Sequence, residues 1–240
     1  WYPSNHAFST TLPALLALAE SREHNGAGPQ GERVLLALAK GIEAQGRLRL
    51  ASNQLDARDL RFHPPGVVGP IAAALACSDL LGLEAGASCM AIGIAASRAA
   101  GLMQNIGSMT KALHCGDAAM HGLEAALLAA AGFTSDADSL GGPRGYGRAY
   151  YGSDFDPARL LDPIKVPRVL EPGPAWKFFP CQSGTHWVIT AALECRQGIS
   201  DLAGIESVVI NGPVMAYVDR PFPVSGLAGK FSFQYCAAAA

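Results

Sequence analysis

The chain has 240 residues, a formal net charge of −2, half of its residues hydrophobic and only 16 % charged. That content supports a sizeable core and excludes the low-hydrophobicity, high-charge composition of a disordered chain. Basic residues are scattered without a run of Lys or Arg, so no field exists to hold nucleic acid or an anionic membrane, and neither is expected as a partner.

Leu12 to Ala19 is apolar and rich in helix formers, and Ser21 to Gln30 is a polar break. From Glu32 to about Leu50, Val34, Leu35, Leu38, Ile42 and Ala44 recur at spacings of three and four, a core-facing helical stripe. Two Ala-rich segments, Val67 to Leu81 and Ala87 to Met103, predict further helices. Another is predicted from Asp117 to Ala131, with Asp117 as its N-cap and Gly132 as its stop. The abundance of Ala and Gly lets helix axes approach closely and predicts a compact bundle.

Composition shifts between Gly141 and Pro174, where glycines and prolines argue for long connections with one short helix around Pro157 to Leu161. A helix from about Gly184 to Arg196 is expected next, then a strand over Glu206 to Asn211 closed by Gly212-Pro213. The fold class read from this pattern is mainly α: an all-helical domain over 1–174 and the beginning of a smaller α+β domain over 175–240.

The six cysteines (Cys77, Cys89, Cys115, Cys181, Cys195, Cys236) form no C-x-x-C pair and no disulfide-framework spacing, which favours free thiols in a reducing compartment over a zinc site. No apolar stretch is expected to reach the roughly 18 residues of a membrane span, because Arg98, His121 and Glu124 interrupt the most apolar segments. No secretory-signal pattern is read, so a cytoplasmic location is expected, or a mitochondrial one for a eukaryotic source. The chain starts at Trp1 and stops in Cys236 followed by alanines, in what reads as an opening helix; it is expected to be a piece of a longer protein.

The residues that could carry chemistry are histidines and lysines. Lys111 and His114 are three apart and share a face if the helix is continuous, with His121 returning to that face. Alternatively, Gly116-Asp117 starts a new helix and the pair sits on the preceding turn. Lysine suits carboxylate binding as a compact charge, and histidine exchanges a proton near neutral pH; the competing reading is a surface or capping pair. His63, in Arg61-Phe-His-Pro-Pro-Gly66, sits at a rigid helix entry, either as a cap or as a site group. Lys177 and His186 flank a Pro-Gly turn among Trp176 and Phe178, and Lys177 is either a snorkelling surface residue or a partly desolvated cation. His24 reads as a solvated loop residue. No Gly-x-Ser-x-Gly elbow, Walker loop, Rossmann fingerprint or H-E-x-x-H is present.

Six short motifs then occur in order: His6 with Leu12-Pro-Ala-Leu-Leu-Ala-Leu-Ala-Glu20, Phe62-His-Pro-Pro-Gly66, Gly107-Ser-Met-Thr-Lys-Ala-Leu-His114, Gly142-Pro-Arg-Gly145, Lys177-Phe-Phe-Pro180 and Phe231-Ser-Phe-Gln-Tyr235. The series resembles the MmgE/PrpD family along the whole chain. One departure is His6-Ala7, where the family shows His-Pro. The resemblance implies a large helical domain with a smaller α+β lid, a site in the cleft between them, a homodimer, and no metal or organic cofactor. It implies His6, His63, Lys111, Lys177 and Tyr235 as catalytic residues, with Thr110, His114 and His186 as substrate-binding neighbours. The substrate expected on that basis is a small di- or tricarboxylic acid.

Fixed cations and proton transfer would then serve 2-methylcitrate-type dehydration, placed first, or cis-aconitate decarboxylation or epimerisation of an iminodisuccinate-type acid. Lys111 and Lys177 would hold the carboxylates, with His63 and His6 as general base and acid. The non-catalytic alternative is a helical scaffold that binds small anions or dimerises.

Overall fold

The computed structural model describes residues 6–26, 28–56, 60–163 and 165–240. It divides into two units, one running to Asn105 and resuming over Thr110–Pro174, the other made of Ile106–Met109 and Ala175–Ala240. Each is taken by itself.

The first unit is a helical bundle of α1 (Ala7–His24), α2 (Gly31–Ala51), α3 (Pro64–Leu81), α4 (Ala85–Ala96), α5 (Thr110–Ala130) and the short α6 (Tyr146–Tyr151). α3 is its axis and packs against α1, α2, α4 and α5. The small residues expected to bring helices together do so. A Cβ on Gly122 of α5 would stand 2.4 Å from that of Ala73, and one on Gly41 of α2 would stand 2.7 Å from Thr11 Cγ2. Around this thin axis Leu15, Leu18, Leu38, Ile42, Cys77 and Leu80 form a buried cluster. Each large aliphatic side chain there contributes about 1.5–3 kcal/mol by leaving water.

α3 also corrects an expectation. Over Pro64–Leu81 it is long and apolar enough to cross a membrane, although no stretch of that kind was expected. Its window is 83 % buried inside the bundle, as in the core helix of a globular unit. An apolar helix needs an apolar surround, and its four helical neighbours provide one.

Several boundaries move. α1 takes in Ser21–His24, which were expected in the polar break. α4 stops at Ala96, not Met103, because the chain turns back at Gly101 (φ +136°). That turn lets Ala100 N–H donate to Gly66 O and His63 N–H donate to Gly101 O, bonds that a continuing helix would forfeit. α5 runs unbroken through Gly116-Asp117, so Asp117 is interior and not an N-cap. Gly132 does end it: its φ is +87°, its N–H donates to Ala129 O, and Phe133 N–H donates to Leu128 O. The short helix expected near Pro157 is a 3₁₀ turn over Pro157–Leu160, capped by Asp156. Of the α2 stripe, Leu38 and Ile42 are buried, whereas Leu35 is exposed.

The second unit contains α7 (His186–Arg196), α8 (Gly226–Gly229) and α9 (Phe233–Ala239). The Trp187 and Phe233 rings meet at 5.0 Å between centroids, tilted 58° to each other, and Val218 is fully buried. Arg220 donates to Ile106 O at 2.8 Å, which ties the 106–109 segment into this unit. The strand expected over Glu206–Asn211 is not formed, and the described residues of both units hold no strand, only an isolated bridge between Phe62 and Leu102. Val208 and Val209 are exposed. β-Propensity is realised only against a partner edge, and the described residues offer this segment none.

Candidate active site

Three helices of the first unit present their chemistry at the ends where they begin. His63 immediately precedes α3, where Pro64 and Pro65 start the helix without wasting a hydrogen-bond donor. Its backbone is held from both sides: its N–H donates to Gly101 O at 2.9 Å, and its carbonyl accepts from Gly66 N–H at 3.0 Å. The ring is 2 % exposed. Lys111 and His114 lie in the first turns of α5, three residues apart, so the continuous helix puts them on one face. His114 is buried and Lys111 half-buried.

His6 precedes α1 with left-handed backbone (φ 34°, ψ 44°), a conformation that costs a side-chain-bearing residue of order 1–3 kcal/mol. Its ring does not cap the helix; its Nε2 lies 3.2 Å from Lys111 Nζ. What secures the helix entry is Gln45 of α2. Its buried amide donates to Thr10 Oγ1 at 2.7 Å and to Thr11 Oγ1 at 3.2 Å in the first turns of α1.

Together these make a chain of contacts. Lys111 meets His6; the His6 and His63 ring centroids are 6.2 Å apart; His63 Nδ1 meets His114 Nδ1 at 3.1 Å. An ammonium group only donates hydrogen bonds, so against a protonated Lys111 the Nε2 of His6 accepts and its hydrogen sits on Nδ1. Burial, reinforced by the charge of Lys111 and then by His6 and His114, pushes the His63 pKa down to about 3. Burial also lowers His114; Asp117, one turn on, opposes that and Lys111 adds to it. His63 is therefore a neutral ring at neutral pH.

A pH dependence follows. Between its ordinary value of 6.5 and the folded value of about 3, an unfolded His63 takes up a proton that the folded ring refuses. This contribution to stability is complete above pH 6.5 and is lost as pH falls toward 3. Urea midpoints measured from pH 7 to pH 4 should fall more steeply for the parent than for His63→Gln; parallel curves would show that the ring is not held neutral.

Thr110 opens α5 beside Lys111 and is half-buried. Lys177, His186 and Tyr235 belong to the second unit. Lys177 is exposed and donates from Nζ to Cys181 O at 3.0 Å. His186 opens α7, meets Phe179 edge-on at 5.3 Å, and keeps a buried Nε2 without a hydrogen-bond partner. Tyr235 lies on α9, about half exposed, with its ring against Gly229. Gln45 and Gly101 were missed by sequence reasoning. Gln45 had a signal: it continues the buried stripe Leu38, Ile42, Gln45, Arg49, where a polar residue needs a reason.

Comparison with known proteins identifies the family. The model of the MmgE/PrpD N-terminal domain matches residues 1–158. The chain belongs to the MmgE/PrpD family. Its relatives include human cis-aconitate decarboxylase, 38 % identical over 248 residues, covering the whole chain and 50 % of that protein. The mouse cis-aconitate decarboxylase is 37 % identical over 253 residues with the same coverage. A cis-aconitate decarboxylase-like protein of Aspergillus oryzae is 30 % identical over 261 residues, covering 98 % of the chain and 52 % of the relative. This MmgE/PrpD chain thus spans about half the length of the curated relatives it matches.

Proposed function

We propose that this chain forms part of a carboxy-lyase that removes carbon dioxide from cis-aconitate or a closely similar tricarboxylate. The observation that carries this reading is the Lys111–His6 contact beside a buried, neutral His63–His114 pair. The relatives support it by their names, which favour decarboxylation over the 2-methylcitrate-type dehydration expected first.

The chemistry asks for two things. The bond to the departing carboxylate breaks and leaves its electron pair on the remaining unsaturated diacid, so positive charge is needed where that pair settles. One carbon must then take up a proton. Lys111 provides the charge at a fixed place. His6 delivers the proton: its Nδ1–H goes to carbon while its Nε2 takes a proton from Lys111 Nζ. The ring ends neutral in the other tautomer, the lysine ends as the amine, and solvent restores both. His63, unable to hold a second proton at neutral pH, hydrogen-bonds a substrate carboxylate or the developing enediolate as a neutral ring.

Proton NMR of a full-length polypeptide carrying this chain, mixed separately with cis-aconitate and 2-methylcitrate, tests the reading. Loss of cis-aconitate with release of carbon dioxide is expected. Turnover of 2-methylcitrate alone would replace decarboxylation by dehydration, and silence in both tubes would leave only the anion-binding scaffold.

A further inference from the structure

His63 and His114 meet through the same atom, Nδ1 to Nδ1 at 3.1 Å, with both rings buried. Two bare nitrogens at that distance would repel, and two N–H groups would clash, so one hydrogen lies between them. The two tautomers are then coupled: the ring that holds this hydrogen is the Nδ1–H form, and its neighbour carries its own hydrogen on Nε2. An imidazole that spends Nδ1 in this way has only Nε2 left for anything else. The fold holds the pair rigidly. His63 is bonded through its backbone to Gly101 and Gly66, and His114 is confined by Gly101, where an added Cβ would stand 3.2 Å from His114 Nδ1.

We infer that His114 is a positioning residue, which locks His63 into a single tautomer and presents His63 Nε2 as its working nitrogen. This goes beyond the substrate contact expected of His114. It rests on the proposed lyase reading only for its effect on rate. The size of such an effect is set by precedent in acid–base sites, where a wrong histidine tautomer costs up to about 10⁴-fold.

Two polar replacements separate the inference from a merely structural role. The amide of His114→Asn falls where Nδ1 lies in histidine and can donate or accept there. The amide of His114→Gln falls near the place of Nε2 and cannot. In a full-length polypeptide labelled with ¹⁵N-histidine, the His63 signals (identified by their loss in His63→Gln) should show one tautomer in the parent and in His114→Asn. They should show averaged tautomers in His114→Gln. With cis-aconitate, kcat should fall roughly 10–100-fold in His114→Gln at little cost in KM, and far less in His114→Asn. A single His63 tautomer in all three proteins, or equal losses in both variants, would overturn the inference. The NMR arm reads the tautomer without turnover, so a wrong substrate silences the rate arm and leaves that reading intact.

Discussion

Lys111→Ala is expected to lower kcat for decarboxylation by about 10³-fold in a full-length polypeptide carrying this chain. Loss of one fixed electrostatic contact to developing charge costs on the order of 10²–10³-fold, and the same change removes the proton source for His6. The two losses fall in one residue because Nζ both carries the charge and lies 3.2 Å from His6 Nε2. Lys111→Arg should not rescue. A guanidinium keeps the charge but holds its protons at neutral pH, and its planar fork does not fit the place of a compact ammonium. The pKa of His63 should rise in Lys111→Ala, since Lys111 is the largest influence after burial that keeps the ring neutral. A His63 titration monitored by NMR reads this without any substrate. Lys111→Ala with parental kcat would remove the lysine from the mechanism.

Gly66→Ala is expected to have the largest effect on folding. The Cβ it adds would lie 2.0 Å from Ala100 O, a backbone atom in a turn that is itself bonded to Gly66 and His63. Nothing flexible can give way there, so the start of α3 must move. Overpacking in a tight core costs about 1–3 kcal/mol and sometimes more, and a clash against backbone belongs at the high end. The urea midpoint should drop accordingly, and activity should fall further than stability alone explains, because His63 hangs on the same bonds. Gly86→Ala is the control: an added Cβ there meets nothing within 4 Å. Equal midpoints for the two variants would show that the α3 entry is looser than the structure has it.

Much of this architecture was legible because it is written in period and composition. The alternation of apolar runs with Gly and Pro placed α2, α3 and α7 to within a few residues, and the excess of Ala and Gly announced close helix packing. The candidate site residues His63, Lys111 and His114 stood out as polar rings and a cation inside apolar, helix-forming sequence. What could not be read was anything fixed by a distant partner. The Nδ1 contact between His63 and His114 joins residues 51 apart, and the Lys111–His6 contact joins residues 105 apart. No local pattern encodes either. The strand expected at Glu206–Asn211 failed for the same reason in reverse: its residues suit a sheet, and sheet formation is decided by a second strand. Gly101 looked like one more small residue in a helix; its role came from Ala100, Gly66 and His63 meeting at one turn.

α3 lies at the centre of the bundle, with α1, α2, α4 and α5 on its sides. None of those four can detach without wetting part of it, so its amides should be among the slowest in the unit to exchange with solvent. His63 is joined to the first residue of that helix. The dryness of the His63 ring is thus moored at the start of the shared helix, but its neutrality also rests on Lys111 and His114 of α5, so an opening of α5 alone would raise its pKa.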